Sequence, residues 1–348
     1  MEFNIGTNKI GENFPTYIIA EISCNHDQDI NKAFRLIELA KDCGANAVKF
    51  QTYTPDTMTI DCDNAYFQIN QGTMWDGITL YELYQKAYTP WIWFPKIQKK
   101  ANDLGLDFFS SPFDVTAVDL LEKLDVPCYK IASFEVCDHV LLKRIAKTGK
   151  PVIMSSGVSD LEELEESLGV LRDNGCQNIC LLKCTSSYPA PIENANLKTI
   201  QDMSERFNLV SGLSDHTKGI EVPVAAVCLG ARVIEKHFKL EEKTESPDDA
   251  FSLTPEEFKN MVDSIRNVEK AIGTVKYKKD GQEKKNQTFK RSLFVVEDMK
   301  KGDTFTPKNI RSIRPGYGLH TRHYDSIIGK KCNKDLDRGT PLNKLDIS

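Results

Sequence analysis

The sequence lacks the features that mark secreted and membrane-spanning proteins. Residues 1–23 have no basic start followed by an apolar run and a small-residue cleavage site, so they do not form a signal peptide. No apolar stretch approaches the roughly 18 residues that a membrane-spanning helix needs. We therefore expect a cytoplasmic protein that makes no contact with a membrane.

Two further absences narrow the class of protein. No CxxC pair occurs among the ten cysteines, which argues against a structural zinc site. Most cysteines stand in apolar runs, as Cys128 and Cys228 do, and we expect reduced, small core residues. There is no excess of positive charge, since the formal net charge is -5, which argues against a nucleic-acid partner. An anionic substrate would need a local cluster of cationic side chains.

Eight short, β-rich runs alternate with helical patterns over the first three quarters of the chain. The runs cover residues 17–24, 47–53, 107–113, 128–133, 151–157, 179–185, 209–214 and 233–238. Near-continuous apolar runs of this length are typical of strands buried on both faces of a parallel sheet. Eight strand–helix units predict an α/β fold, a TIM (β/α)8 barrel. A doubly wound open sheet is the alternative, although no GxGxxG motif follows the first strand.

The helical patterns carry start and stop signals. Ala33, Leu36, Ile37 and Ala40 follow the spacing of a buried helix face, and Gly44 can end that helix. The last barrel helix should begin at residues 254–257, which supply an N-cap threonine, a proline and a capping glutamate. Its apolar stripe is Phe258, Met261, Val262, Ile265 and Val268, and Gly273 ends it.

Two regions interrupt this pattern. Residues 54–94 form a long insertion after the second strand, rich in aromatic side chains, and should lie on the active-site face of the barrel. Residues 276–290 are polar, include six lysines and predict a linker rather than a binding patch. We therefore expect a barrel domain over residues 1–275, a linker over 276–290 and a small C-terminal domain over 291–348. The last contains a β-like SLFVVED segment and two glycine turns.

Polar residues cluster where the predicted barrel strands end. In a TIM barrel this end carries the active site. A buried lysine is costly unless it meets an anion, so Lys49 and Lys130, with nearby serines, predict a pocket for a phosphate and a carboxylate. The alternative is that these lysines pair with Glu21, Glu135 or Glu235 as structural salt bridges. His216 and His237 end adjacent strands and suit a divalent cation with open positions, although either could be structural.

The chain resembles the sialic acid synthase family from end to end. The matching segments are AEISCNH (20–26), VKFQTY (48–53), FSSPFD (109–114), YKIASFE (129–135), GLSDHT (212–217) and IEKHF (234–238). The C-terminal segment SIRPGYGL (312–319) is similar to the family's antifreeze-like (SAF) domain, a β-clip fold. The insertion is more similar to that of pseudaminic acid synthases than to that of N-acetylneuraminate or legionaminic acid synthases.

The resemblance implies roles for individual residues. It implies that His216 and His237 bind the metal, with Mn2+ expected and Mg2+ or Co2+ as alternatives. It assigns phosphoenolpyruvate to Lys49, Lys130, Ser133 and Ser155, with contributions from Ser111 and Ser214. Glu21 corresponds to a carboxylate near the reacting carbons. Gln51, Glu135, Tyr188 and Asp248 correspond to residues that face the sugar and a metal-bound water. Family members often have asparagine where this chain has Ser186, which puts a phosphate contact there in doubt.

The implied reaction is a metal-dependent condensation of phosphoenolpyruvate with an amino-sugar aldehyde. For the pseudaminic branch the sugar is 2,4-diacetamido-2,4,6-trideoxy-L-altrose. The resemblance also implies a homodimer with swapped SAF domains, in which Arg314 enters the partner's site. The alternatives are a Schiff-base aldolase that uses a strand-end lysine and a non-catalytic sugar-binding protein.

Overall fold

The structure is a computed structural model that describes residues 1–70, 72, 75–240 and 246–348. It contains two compact units, Met1–Gly273 and Thr274–Ser348. The strands are β1 (Glu2–Ile5), β2 (Asn8–Gly11), β3 (Tyr17–Glu21), β4 (Ala47–Thr52), β5 (Asp107–Pro112), β6 (Tyr129–Ile131), β7 (Val152–Ser155), β8 (Ile179–Cys184), β9 (Val210–Asp215), β10 (Val233–His237), β11 (Ser292–Val295) and β12 (Ile310–Ile313). The helices are α1 (Ile30–Asp42), α2 (Pro55–Met58), α3 (Leu80–Ala87), α4 (Phe94–Asp103), α5 (Val115–Lys123), α6 (His139–Ala146), α7 (Leu161–Asp173), α8 (Thr199–Phe207), α9 (Glu221–Cys228), α10 (Pro255–Ile272), α11 (Gly281–Lys285) and α12 (Tyr324–Ile327).

Strands β3 to β10 form a closed, all-parallel barrel of eight strands. The ring closes between β10 and β3, where Val233 pairs with Tyr17 and His237 pairs with Glu21. This closure confirms the predicted TIM barrel, and the open-sheet alternative is wrong. Seven of the eight predicted runs contain one barrel strand each, and β9 extends one residue past the remaining run, 209–214. The runs are apolar because a strand surrounded by helices is apolar on both faces.

The N-terminal hairpin β1–β2 was not predicted from the sequence. It is antiparallel, and its Ile5 and Ile10 are buried in the same hydrophobic core as the barrel. Next to it, the Tyr17 hydroxyl donates to Asp107 over 2.7 Å, and the Asn8 amide donates to the same carboxylate oxygen over 2.8 Å. Asp107 begins β5, so this polar cluster lies at the N-terminal end of the strands, opposite the end that carries the site.

The helix signals in the sequence are confirmed. Helix α10 has a complete capping box between Thr254 and Glu257, begins with Pro255 and ends at Gly273, whose φ is +50°. Its predicted stripe is buried apart from Val268, which is partly buried. The prediction for one cysteine is wrong: Cys128 is buried, but Cys228 is exposed. Cys228 ends α9 one position after buried Val227, and one residue turns the side chain about 100° around the helix.

The insertion after β4 forms helices α2 and α3 and then runs into α4. Gln71, Thr73 and Met74 of this insertion lie outside the described residues. Trp91 and Trp93 serve packing, because the Trp91 indole donates to the Tyr53 carbonyl and Trp93 packs edge-on against His26.

The C-terminal unit has its own sheet and core. Strands β11 and β12 pair antiparallel, which confirms the β character of the SLFVVED segment, and Gly302 and Gly339 adopt positive φ in the two predicted turns. Leu293, Phe305 and Leu342 are fully buried in a separate cluster. Within residues 276–290 the chain forms the short helix α11 and a 3-10 turn with largely exposed side chains. The boundaries of the predicted linker stay predictions.

Among the described residues, no helix combines the length and the apolar character required to traverse a bilayer. The cytoplasmic location stays a prediction.

Two glycines give opposite predictions for stability. A Cβ on Gly212 in β9 would lie 2.2 Å from the Val233 carbonyl oxygen and 2.7 Å from Leu182, so Gly212→Ala should destabilise the barrel by about 1–3 kcal/mol. A Cβ on Gly169 in α7 would meet nothing within 4 Å, so Gly169→Ala should stabilise by about 0.5–1 kcal/mol. Urea unfolding of both variants measures the two effects. Equal stability of the two variants would contradict the close approach of β9 to β10.

Candidate active site

A cavity of about 280 Å³ opens at the C-terminal ends of the barrel strands. Thirteen of the fifteen residues predicted for the site line it. They are Glu21, Lys49, Gln51, Ser111, Lys130, Ser133, Glu135, Ser155, Tyr188, Ser214, His216, His237 and Asp248. Ser186 and Arg314 are the two that do not.

The strand register explains why residues distant in sequence meet here. Glu21 on β3 pairs with Lys49 on one side and with His237 on the other. Side chains alternate between the two faces of a strand, so Gln51 and Glu235 point to the same side as Lys49 and His237, respectively. Parallel strands that end at one rim therefore place their inward-facing polar tips around one cavity.

Lys49 is buried in a network of carboxylates. Its Nζ lies 2.7 Å from Glu21 and 3.6 Å from Glu235, and it donates to the Ser111 hydroxyl over 3.3 Å. Burial alone would lower the pKa of Lys49, but the two carboxylates raise it above its ordinary value. The predicted alternative of a barrel salt bridge therefore holds for Lys49, although this salt bridge lies on the cavity wall.

Lys130 is a buried cation of a different kind. Its Nζ donates to the Ser155 hydroxyl over 2.6 Å and to the Ile131 carbonyl over 3.0 Å. Within the described parts of the chain, no carboxylate forms an ion pair with it, and the residue is only 2 % exposed. Burial lowers its pKa, against the field of Glu235. This cation, held by neutral partners beside an open cavity, has room for an external anion.

Glu235 is a buried carboxylate that the sequence analysis considered only as a salt-bridge partner. Oε1 accepts a hydrogen bond from Ser214 over 3.2 Å, whereas Oε2 has no hydrogen-bond partner in the described structure. Burial would raise the pKa of Glu235, but Lys130 and Lys49 hold it below its ordinary value. Its position two residues before His237 on one strand is a signal that could have placed it on the inner face.

His216 and His237 lie side by side, with ring centroids 5.3 Å apart. Nδ1 of His216 is 3.0 Å from the Thr185 carbonyl, which can only accept, so Nδ1 carries the proton and Nε2 has a free lone pair. Nδ1 of His237 is buried, has no hydrogen-bond partner among the described residues and lies 3.2 Å from Asp248 Oδ2. Two neighbouring imidazoles, one of them against a carboxylate, fit a divalent cation.

The protein itself supplies few ligands for such a cation. No group of three or more His, Cys, Asp or Glu side chains in the described residues has the geometry of a metal site. A cation at His216 and His237 would therefore complete its coordination with water and substrate oxygens, which is the arrangement of an open catalytic site.

Glu135 and Glu21 are cavity carboxyls whose pKa is raised by burial. Burial raises the pKa of Glu135 to about 7, against the charge of Lys130. Burial also raises the pKa of Glu21, against the charge of Lys49. A carboxyl with a pKa near neutrality, as Glu135 has, can both donate and accept protons at physiological pH.

The outer wall of the cavity is largely apolar. Met58, Trp75, Leu83, Tyr84 and Ala87 from the insertion line it. The Tyr84 ring packs edge-on against Tyr53, and Tyr53 packs in the same way against Phe113. The aromatic-rich insertion was expected on this face of the barrel, but its sequence does not distinguish these residues from Tyr66, which is 91 % exposed.

Comparison with known proteins identifies the family. The NeuB family profile matches residues 36–277, and the SAF domain profile matches residues 290–348. This chain belongs to the NeuB family. It is 45 % identical over 330 residues to a pseudaminic acid synthase of Campylobacter jejuni subsp. jejuni serotype O:23/36, covering 95 % of this chain and 96 % of the relative. It is 40 % identical over 328 residues to an N,N'-diacetyllegionaminic acid synthase of Campylobacter jejuni subsp. jejuni serotype O:2. That match covers 92 % of this chain and 96 % of the relative.

The NeuB fold is also seen in solved relatives. The crystal structure of an N-acetylneuraminic acid synthetase from Leptospira borgpetersenii serovar Hardjo-bovis, in complex with citrate, superposes with a TM-score of 0.73 at 32 % identity. The match covers 82 % of this chain and 95 % of that one.

Two predicted residues of this NeuB-family chain lie off the cavity wall. The Ser186 hydroxyl is next to that of Ser133, which does line the cavity: a Cβ on Gly157 would lie 2.1 Å from one and 2.6 Å from the other. Ser186 therefore lies near the cavity wall without lining it, and its phosphate contact stays a prediction. Arg314 follows β12 in the C-terminal unit and is exposed.

The raised pKa of Glu135 predicts a pH-dependent stability. Between its ordinary value of 4.5 and about 7, the folded state binds more protons at this site than the unfolded state, so the wild-type free energy of unfolding falls as pH rises. Glu135→Gln mimics the protonated form. Relative to wild type, it should gain roughly 2 kcal/mol between pH 5 and pH 8.

Urea unfolding at the two pH values measures this gain. The exposed Glu162→Gln, in the first turn of α7, is the control and should show little change with pH. A constant difference between Glu135→Gln and wild type at both pH values would contradict the raised pKa.

Proposed function

We propose that this chain is a pseudaminic acid synthase. It condenses phosphoenolpyruvate with 2,4-diacetamido-2,4,6-trideoxy-L-altrose to give pseudaminic acid and phosphate. The relatives named above support the reaction class, and the higher identity to the pseudaminic than to the legionaminic acid synthase supports the substrate. N-acetylneuraminate and legionaminic acid synthesis are the alternatives within the family.

The observation that carries the proposal is the environment of Lys130. A buried ammonium group with neutral partners is costly unless an anion approaches it. Lys130, Ser155 and Ser133 share the cavity with Lys49 and Ser111, so two cations and three hydroxyls face one ligand space. Phosphoenolpyruvate, which carries a phosphate and a carboxylate on three carbons, matches this set.

The reaction requires one new carbon–carbon bond and one carbon–oxygen cleavage. The methylene carbon of phosphoenolpyruvate attacks the aldehyde carbon of the open-chain sugar, water adds to the enol carbon, and cleavage of its bond to the bridging oxygen releases phosphate. Lys49 and Lys130 neutralise the phosphate and the carboxylate. Glu21 and Glu135 are the groups that can give the proton gained by the aldehyde oxygen and take the one lost by water.

His216 and His237 would hold the divalent cation, for which we propose Mn2+. When bound, such a cation supplies Lewis-acid polarisation of the sugar aldehyde. The protein's part is to fix both imidazoles: the Thr185 carbonyl orients His216, Asp248 lies against His237, and the rings of Tyr188 and Phe251 pack around them.

The apolar wall suits a sugar with several methyl groups. A 6-deoxy sugar with two acetamido groups presents three methyl groups, and Met58, Leu83 and Ala87 with the Tyr84 ring offer an apolar surface for them. Gln51, whose amide donates to Glu21 over 3.2 Å, supplies a polar group beside the reacting end.

We further infer a homodimer in which the C-terminal SAF unit of one subunit serves the site of the other. The exposed Arg314 would then add a cation to the partner's cavity. The polar segment 276–290 would act as the linker between the two domains.

The two alternative functions, a Schiff-base aldolase and a sugar-binding protein, require different properties of the lysines. A Schiff-base aldolase needs a neutral lysine amine, and the lowered pKa of Lys130 makes it the candidate, since the pKa of Lys49 is raised. A sugar-binding protein needs no cation pocket for phosphate. Neither reading accounts for Lys49 and Lys130 together.

A phosphate-release assay tests the proposal. The protein is incubated with phosphoenolpyruvate, Mn2+ and, separately, the sugar precursors of pseudaminic, N,N'-diacetyllegionaminic and N-acetylneuraminic acid. We expect the first sugar to give a kcat/KM at least about tenfold above the others, and a chelator to stop turnover.

The same assay separates the alternatives. His237→Ala should remove activity while the protein stays folded, and turnover retained in metal-free buffer would reject the metal role. Borohydride trapping of a pyruvate adduct on Lys130, without phosphate release, would instead support the aldolase. Sugar binding without any phosphate release would support the binding protein.

A further inference from the structure

A buried ion pair lies directly behind the two imidazoles. Lys236 Nζ is 2.5 Å from Asp215 Oδ2, and the two side chains are 0 % and 2 % exposed. Neither residue lines the cavity. Glu235 and His237 point into the barrel, so Lys236 between them points outward, away from the reacting groups.

The pair also fixes the turn that follows β9. Lys236 Nζ donates a second hydrogen bond to the Thr217 carbonyl. Asp215 accepts from the Thr217 backbone N–H over 3.0 Å and from its hydroxyl over 3.1 Å. Residues 215–217 are therefore tied both to each other and to β10, with His216 in the middle of the tied segment.

The sequence positions make this arrangement specific to the imidazoles. Asp215 immediately precedes His216, and Lys236 immediately precedes His237. In the register between β9 and β10, Asp215 and Lys236 are direct partners. One ion pair thus joins the two residues that immediately precede the two histidines.

Stability alone does not account for the pair. Replacing a buried ion pair with apolar residues is often neutral or stabilising, because the charges lose their hydration. What an apolar pair cannot reproduce is the directional set of contacts that Lys236 and Asp215 make with Thr217. These contacts fix the conformation of residues 215–217 around His216.

We propose that Lys236 and Asp215 are positioning residues that set the spacing of His216 and His237 for cation binding. The inference rests on the cation site proposed above. The pair acts through the backbone, so its loss should weaken metal binding more than it weakens turnover by the metal-loaded enzyme.

The test uses the full-length double variant Asp215→Asn, Lys236→Met, which removes both charges and leaves an amide to accept from Thr217. Electron paramagnetic resonance of free Mn2+ measures the affinity of the folded protein. We expect affinity to fall about tenfold, as for other residues that orient metal ligands. The urea midpoint should stay unchanged or rise, and kcat should recover at saturating Mn2+ while the activation constant for Mn2+ stays raised.

Two further variants keep the test decisive. Thr217→Val removes only one hydroxyl contact with Asp215 and should weaken Mn2+ binding about threefold even if the double variant does not fold. Tyr17→Phe is the control, since it removes the buried hydrogen bond to Asp107 at the opposite end of the strands and should leave Mn2+ affinity unchanged.

The outcomes separate this inference from the function. Wild-type Mn2+ affinity in the folded double variant and in Thr217→Val would overturn the positioning role while leaving the proposed function intact. Failure of the wild-type protein to bind Mn2+ would reject the proposed cation site itself, and the positioning role with it.

Discussion

Two ammonium groups buried at the mouth of a closed barrel are the constraint on which the site depends. Lys49 is compensated by Glu21 and Glu235, whereas Lys130 has only a hydroxyl and a carbonyl as direct partners. Uncompensated burial of charge opposes folding. The rest of the site follows from this cost. Serine hydroxyls accept hydrogen bonds from both ammonium groups, and nearby carboxylates raise the pKa of Lys49 and oppose the lowering of the pKa of Lys130. The cavity beside Lys130 leaves room for an anion.

The closed barrel is what makes this concentration of charge possible. Its parallel strands all end at one rim, and the alternation of side chains sends every second residue inward. A residue at the same rim that points outward can instead link neighbouring strands, as Lys236 on β10 does through its ion pair with Asp215 on β9. The insertion after β4 then covers one side with an apolar wall, so one cavity has a polar part at the strand ends and an apolar part at the insertion.

Local sequence patterns predicted the elements and most of the wall. Eight apolar runs are a strong signal for barrel strands, and the capping box at Thr254 fixed the start of α10. Thirteen of the fifteen site residues predicted from strand ends and from the family resemblance line one cavity.

Three features were not predicted: the hairpin β1–β2, the Lys236–Asp215 pair and the exposed side chain of Cys228. Each depends on how a strand or helix face packs against elements that are distant in the sequence. Period-two alternation from His237 could have placed Glu235 on the inner face. No comparable local signal separates Trp75 and Tyr84 from exposed Tyr66.

The central claim is that Lys130 serves an anionic ligand and not the fold. Lys130→Met, studied by calorimetric titration with phosphoenolpyruvate and by urea unfolding, tests it most directly. We predict a phosphoenolpyruvate affinity at least about 100-fold weaker in a variant that still folds. Its unfolding free energy should change little, because the gain from replacing a buried ammonium group with an apolar chain is opposed by the loss of the Lys130 charge near buried Glu235. A clear loss of stability with unchanged phosphoenolpyruvate affinity would contradict it.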